Sequence, residues 1–192
     1  METLDGLPLL GFAGLTELEA WLEEHNGTVP GLWVQLAKKG SGVPSPTAGD
    51  VNDAALCFGW ITGLRRSRGD VHYLQKITPR RPRSTWSQVN VKRVEELTAQ
   101  GRMREAGLAE VAAAKADGRW EAAYASQRDA TVPPDLEAAL EANSRAREAF
   151  EGLNKTERYL VVLGLLKAGT DRTRKARLER TVAALAAGEK VR

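Results

Sequence analysis

Apolar side chains recur along the first half of the chain at two different spacings, and each spacing predicts a different element. A period near 3.6 predicts a helix over 16–25, where Thr16 and Glu19 stand at capping-box spacing. The run LWVQLAKK at 32–39 alternates side chains between two faces, which is typical of a strand. A helix followed by a strand is therefore expected before residue 40.

The helical period returns at 48–58, with Thr47 or Asp50 available as the cap. Two apolar-rich runs at 60–64 and 71–77 are separated by turn residues, and this pattern predicts a β-hairpin. The chain then carries two prolines in TPRRPRSTW, so an irregular segment is expected after the hairpin.

The remainder of the chain shows only helical periodicity, with one polar and proline-containing interruption at 126–135 that we interpret as a linker. The sequence therefore predicts an α+β protein with a small antiparallel sheet packed with helices, followed by an all-helical C-terminal module. We place the two domains at 1–130 and 131–192. Predicted helices begin near residues 87, 104, 135, 144 and 154, and a last one ends at Gly188.

The composition limits which class of protein the chain can be. The 192 residues are 42% apolar, which is enough for one sizeable core and a small helical addition. The single cysteine, Cys57, lies in an apolar run and is expected to be a buried hydrophobe. The apolar N-terminal stretch follows acids and no base, unlike an export signal, and no run is long enough to span a membrane. These features favour a cytoplasmic protein, either a monomer or a homodimer.

Charge is distributed unevenly despite a net value of +3. Residues 65–93 hold nine Lys or Arg against the single acid Asp70, and the last 23 residues are again basic. Such segments can attract phosphates, nucleic acid or an acidic partner if they share one surface. The alternative is that these bases pair with the acidic segments of the same chain.

Tryptophan and basic side chains are interleaved in the middle of the chain, and this set is the candidate binding site. Guanidinium forks can hold a carboxylate or phosphate while indoles cover the rest of a ligand. The structural alternative is that the indoles are core residues braced by cations over their faces. The candidate ligand-binding residues are Trp33, Lys38, Trp60, Arg80, Arg83, Trp86 and Asn90, and Arg174 and Arg177 on the last helix form a candidate basic surface.

Catalytic and metal chemistry have no recognisable motif in the sequence. His25 and His72 have no ligand-like or nucleophile-like neighbours, and one cysteine cannot form a transition-metal site with them at any usual spacing. Nucleotide-binding glycine motifs and the serine-hydrolase elbow are also missing. We therefore expect no cofactor and no metal, and we leave the question of an enzyme open while leaning against it.

Four sequence segments resemble the YdeI/OmpD-associated, or bacteriocin-protection, family of bacterial proteins. They are ALCFGWITG (55–63), TPRRPRSTWSQVN (78–90), GRMREAGLAEVAAAKADGRWEAAY (101–124) and VPPDLEAAL (132–140), and the C-terminal stretch TRKARLERTVAALAAG is similar to the helical module of this OmdA-like family. The resemblance runs from about Leu18 to Gly188. Thr62 departs from the pattern, because the family usually has an acid there.

The resemblance implies an association with resistance to antimicrobial peptides or stress, and it implies no catalytic residue, cofactor or metal. Together with the residues, it leads to the hypothesis of a non-enzymatic binding or stress-protection protein. A basic, Trp-lined pocket would accept an anionic ligand or a protein partner. The alternative is a nucleic-acid-binding module that uses 65–93 and the last helix against phosphates.

Overall fold

Contacts divide the computed structural model, which describes residues 2–126 and 129–189, into two units. The first unit comprises the chain up to residue 84 together with 90–121, and the second comprises 85–89 and the chain from 122 onward. The predicted boundary at 130 stays a prediction, and residues 127 and 128 of the predicted linker lie outside the described residues.

The first unit is built on a five-stranded sheet in the order β1-β2-β3-β5-β4. The pair β2–β3 is parallel, and the other neighbouring strands are antiparallel. The strands are β1 (Thr3–Leu4), β2 (Leu7–Gly11), β3 (Leu32–Ala37), β4 (Trp60–Arg68) and β5 (His72–Pro79), and the helices are α1 (Leu15–His25), α2 (Ala48–Cys57), α3 (Gln88–Ala99) and α4 (Glu105–Ala116).

The predicted α+β class is confirmed, but the sheet is mixed and not antiparallel throughout. No strand is predicted before residue 32 from the sequence, whereas β2 lies there and joins β3 in parallel. Helix α1 connects these two strands, and a helical crossover returns the chain in the same direction as the first strand. A β-α-β unit therefore opens the chain.

Helix caps were predicted correctly at α2 and wrongly at α1. The Thr47 hydroxyl accepts from the Asp50 backbone N–H at 3.1 Å, and the Asp50 carboxylate accepts from the Thr47 backbone N–H at 2.8 Å. At α1 the cap is Gly14, which offers no side chain, and the expected pair of Thr16 and Glu19 lies inside the helix. The helix begins one residue earlier than predicted, so the capping-box spacing there is coincidental.

The hairpin β4–β5 is confirmed, and it contains a bulge between Thr62 and Arg65. Gln75 is buried opposite this bulge, and its amide donates to the Gly63 carbonyl at 3.0 Å. Its carbonyl accepts from Arg65 Nε at 2.6 Å. One buried amide therefore provides a hydrogen-bond partner for the backbone within the bulge. The bulge also interrupts the regular row of backbone hydrogen-bonding groups on an edge strand.

Close packing joins α2 to α4. A side chain at Gly107 would place its Cβ 2.2 Å from the carbonyl oxygen of Cys57, far inside van der Waals contact. Cys57 itself is buried, as predicted, and burial raises the pKa of its thiol to about 11. The two helices can approach to this distance only because residue 107 lacks a side chain.

A buried carboxylate provides the polar link between α2 and α3. Asp53 is 8% exposed, and its Oδ1 accepts from Arg93 Nε at 2.7 Å. Arg102 lies 3.5 Å from the same carboxylate and also donates to Glu19 of α1 at 2.9 Å. Removing one partner of such a group leaves a buried charge uncompensated, which is costly.

The second unit is a helical module with its own core. Its helices are α5 (Pro134–Glu141), α6 (Ser144–Gly152), α7 (Lys155–Leu166) and α8 (Asp171–Ala186). Asn154 and Glu157 form the predicted capping box at the start of α7. No helix of the described residues is long and apolar enough to cross a membrane. The buried core residues are Leu136, Leu140, Ala146, Phe150, Val161, Val162, Leu165 and Leu185.

Gly107→Ala is expected to destabilise the first unit by about 1–3 kcal/mol, because its methyl group cannot fit against a backbone carbonyl. Urea unfolding followed by circular dichroism measures the effect. Gly49→Ala is the matched control, since Gly49 lies in α2 and its Cβ would meet only ordinary contact at 3.5 Å from Thr47. Equal unfolding midpoints for wild type and both variants would contradict the close approach.

Cys57 is expected to resist thiol reagents in the folded protein. With a pKa near 11 instead of its ordinary value near 9, its thiolate is roughly 100-fold scarcer at pH 8, and burial blocks access as well. The rate of reaction with a disulfide reagent, compared in buffer and in urea, checks this. Equal rates in the two conditions would show that the thiol is accessible.

Candidate functional site

The three tryptophans of the candidate binding site are buried side chains. Trp33 and Trp60 have no exposed surface, and Trp86 is 1% exposed. Trp60 Nε1 donates to Asn26 Oδ1 at 2.8 Å. Trp86 belongs to the second unit, whereas the other two belong to the first. Buried rings present no face to a ligand in this structure, and a ligand-binding role for them stays a prediction.

Two cations lie near the ring of Trp33. Arg66 Cζ is 5.1 Å and Lys76 Nζ is 5.7 Å from the centre of its ring. Arg66 also pairs with Asp5 at 2.9 Å. This arrangement matches the structural alternative for the tryptophans, in which cations brace a buried ring.

The other candidate residues are placed separately. Lys38 Nζ donates to the Gly69 carbonyl at 2.9 Å, so this cation closes the hairpin turn. Arg80 is only 6% exposed, and its backbone N–H donates to the Gly59 carbonyl at 3.0 Å. Asn90 is half-buried in α3. Of the predicted set, only Arg83 combines an exposed side chain with a backbone φ in the left-handed region.

Arg83 stands in a tight turn that follows β5, and we refer to residues 81–84 as the arginine turn. The Arg81 backbone N–H donates to the Ser84 hydroxyl at 3.0 Å, and the Ser84 backbone N–H donates to the Arg81 carbonyl at 2.9 Å. Arg83 has a φ of 71°, in the left-handed region that favours glycine. Two hydrogen bonds thus hold a strained arginine in place.

The arginine turn is also held from outside. Arg119 Nη1 donates to the Ser84 carbonyl at 2.9 Å. The same guanidinium binds Asp117 through Nε at 2.7 Å, and this contact lowers the pKa of the Asp117 carboxyl. Both residues follow α4, so the end of that helix positions the turn.

Arg81 and Arg83 are exposed, and neither forms an ion pair or side-chain hydrogen bond with the residues that the structure describes. As far as the described residues go, both guanidinium groups therefore keep their full set of N–H donors for an external group. A guanidinium presents these donors in a plane, which suits the bidentate recognition of a carboxylate or phosphate.

Several other arginines of the basic segment have partners within the first unit. This internal pairing is the alternative that the charge distribution left open. The pairs with acids are Arg66 with Asp5, Arg68 with Glu2 and Arg93 with Asp53, whereas Arg65 binds the neutral amide of Gln75.

The candidate basic surface of the last helix is engaged in a similar way. Arg174 binds both oxygens of Asp135, at 2.7 and 2.8 Å, and Arg177 Nη1 donates to the Gly164 carbonyl at 2.6 Å. The Arg174 hydrogen bonds lower the pKa of Asp135. These two arginines link α8 to α5 and α7, and a role in binding phosphates stays a prediction.

No group of three or more His, Cys, Asp or Glu side chains with the geometry of a metal site occurs in the described part of the chain. Asp117, which lies close to the arginine turn through Arg119, is engaged in an ion pair with that arginine.

Comparison with known families divides the chain in two. A family model described as "Domain of unknown function (DUF8412)" matches residues 10–110, more than half of the chain. The chain belongs to this family. The DUF8412 match begins within β2, and it contains β3, β4, β5 and the arginine turn. No curated protein and no solved structure matches the chain.

A second model, described as "Bacteriocin-protection, YdeI or OmpD-Associated", matches residues 129–188. The predicted resemblance to this OmdA family is confirmed over these residues, which form the helical module. The segments 55–63 and 78–90, which also suggested that family, fall instead within the DUF8412 match.

Two side chains important for this geometry were missed by the sequence analysis. Arg119 lies 35 positions from Ser84, and Gln75 contacts the bulge from the neighbouring strand. Gln75 carries a detectable signal, since strand alternation places this glutamine on the same face of β5 as Tyr73 and Ile77. Arg119 carries none, because its contact depends on where α4 ends in space.

The contact between Asp135 and Arg174 predicts an acid-sensitive contribution to the stability of the second unit. The folded pKa of Asp135 is lowered, so its stabilisation is complete above about pH 4, near the unfolded value, and is lost as the pH falls through the folded value. Asp135→Asn should cost about 0.5–1 kcal/mol at pH 7 for this partly exposed pair. The cost should shrink at pH 3.

Urea unfolding of wild type and variant at the two pH values measures this difference. Glu137→Gln is the matched control, because Glu137 is exposed on the same helix and has no ion pair among the described residues. A pH-independent cost of Asp135→Asn would show that the pair does not contribute through ionisation.

Proposed function

We propose that this protein is a non-enzymatic binding protein whose arginine turn holds an anionic group, a carboxylate or a phosphate, of a ligand or protein partner. The observation that carries the proposal is the exposure of Arg81 and Arg83 on a turn closed by its own hydrogen bonds. Each guanidinium supplies a planar set of donors, and the two together match an anion with several oxygens.

The backbone of Arg83 supports a functional role. A residue other than glycine in the left-handed region costs of order 1–3 kcal/mol, and such strain concentrates at binding sites. Glycine would adopt the same conformation without this cost. An arginine at this position is therefore best explained by a use for its side chain.

The anchoring of the turn supports binding by reducing the entropy lost when a ligand is held. Arg119 fixes the Ser84 carbonyl, and the Ser84 side chain fixes the start of the turn at Arg81. Ligand contacts made by a rigid turn lose less conformational freedom than contacts made by a mobile loop. The turn is thus arranged before the anion arrives.

Internal pairing reduces the support for the nucleic-acid alternative. Phosphate-backbone binding needs many uncompensated cations along one surface, and its affinity falls steeply with salt. Arg66, Arg68 and Arg93 already have carboxylate partners in the first unit. Two exposed arginines on one turn suit a single anionic group better than a polyanion.

Protection against bacteriocins, the role that the description of the OmdA model carries, is the wider function in which we place this binding. The helical module supports the placement through its family match alone. Survival of bacteria that produce wild-type protein or the arginine-turn variant, under a bacteriocin challenge, tests it. Equal survival of both strains would show that the arginine turn does not contribute to protection.

The double variant Arg81→Gln/Arg83→Gln is expected to bind pyrophosphate and citrate at least tenfold more weakly than wild type, since charge-assisted hydrogen bonds are lost. Nuclear magnetic resonance titration of the labelled full chain at low salt measures the affinity. The control Arg145→Gln/Arg172→Gln removes two exposed arginines elsewhere, with the same loss of charge.

Equal weakening in both double variants would show that net charge, and not the turn, determines binding. A third variant, Arg83→Gly, separates binding from folding, because it should relieve backbone strain and keep or raise stability while binding weakens. Tight binding of a single-stranded oligonucleotide with a steep salt dependence would favour the nucleic-acid alternative instead.

A further inference from the structure

A cavity lies on the sheet of the first unit, with a volume of about 360 Å³. Its floor comes from three adjacent strands. Gly11 of β2 pairs with Gln35 of β3, which pairs with Leu74 of β5, and His72 stands two positions from Leu74 on the same side of that strand. Strand alternation therefore places Gly11, Gln35 and His72 on one face of the sheet, and all three line the cavity.

Gly11 leaves room for this cavity. It lies in a strand without a positive φ, so its backbone has no need for glycine, and glycine in a strand is destabilising. A Cβ at this position would lie 3.9 Å from Nε2 of Gln35. Glycine inside a strand often marks a site where another group approaches closely, and here a side chain would occupy the space beside the Gln35 amide.

The polar groups of the cavity are available to a ligand. Gln35 and His72 are half-buried, and neither side chain forms a hydrogen bond with the residues that the structure describes. An amide offers a donor and an acceptor side by side in one plane, and an imidazole adds a further donor or acceptor. Ser45 is already engaged, since it accepts from the Ala37 backbone N–H at 3.0 Å.

The remaining walls are apolar and uncharged. Phe12 is held edge-on against Trp21, with ring centres 6.4 Å apart, and Val43 is 43% exposed. Pro44 completes this side of the cavity. Among the described residues that line the cavity, His72 is the only one whose side chain can carry a charge, so the cavity favours a neutral ligand and differs in chemistry from the arginine turn.

We propose that this cavity binds a small, neutral, planar heterocycle that presents a hydrogen-bond donor beside an acceptor, as an aminopurine or an aromatic carboxamide does. The Gln35 amide pairs with that edge in the bidentate manner in which amides read adenine. Phe12 and Pro44 contact the ring, and His72 makes a further hydrogen bond. The volume is within the range of small-molecule sites.

Adenine is the probe, and purine, which lacks the amino donor, is its matched control. Titrated into the labelled full chain, adenine should shift the resonances of Gly11, His72 and the Gln35 side-chain amide. Purine should bind about tenfold more weakly, because it loses one half of the paired edge. Absence of shifts at these residues up to the solubility limit of adenine would overturn the proposal.

Gln35→Leu should weaken adenine binding at least tenfold and abolish the discrimination between adenine and purine. Gln100→Leu is the control, since Gln100 is exposed at the end of α3 and its side chain does not line the cavity. Retained discrimination in Gln35→Leu would refute the assigned contact.

Gly11→Val should block binding by filling the space beside the amide. If this variant does not fold, Gln35→Leu alone decides the outcome. The double arginine-turn variant should bind adenine as wild type does, so that this site and the proposed anion site fail or succeed separately.

Discussion

The contact on which the first unit and its candidate site depend is the approach of α4 to α2 at Gly107. The carbonyl of Cys57 occupies the place that a side chain at residue 107 would take, so this close approach of α4 to α2 requires glycine there. The end of α4 then delivers Arg119 to the carbonyl of Ser84. The conformation of the arginine turn is therefore determined by a packing constraint at the other end of a helix.

Ion pairs between side chains of opposite charge connect helices within each of the two units. Blocks of opposite sign along the chain meet as local pairs, such as Asp53 with Arg93 and Asp135 with Arg174. Partly buried pairs of this kind hold helices in register more than they add stability. Exposed bases that have no partner among the described residues are informative for the same reason, and the arginine turn carries two of them, Arg81 and Arg83.

The sequence predicted most elements with recognisable local signals. The caps at Thr47 and Asn154, the hairpin and the helical module all depend on residues close together in the chain. Strand β2 was missed because it is short and its pattern is nearly continuous, LPLLG, with no clear alternation. The tryptophans were predicted as candidate binding residues, but all three are buried, and local pattern cannot show whether an indole lies inside or at the surface.

By itself, the sequence determined the α+β class, the helical C-terminal module with its family and the concentration of bases at 65–93. Periodicity, caps and composition act over a few residues, so they can be recognised without coordinates. Only the tertiary structure decided which bases are neutralised, that Trp33 is braced and not open, and that Gly11, Gln35 and His72 share one cavity. These outcomes depend on contacts between residues far apart in the chain, and no local signal encodes such distances.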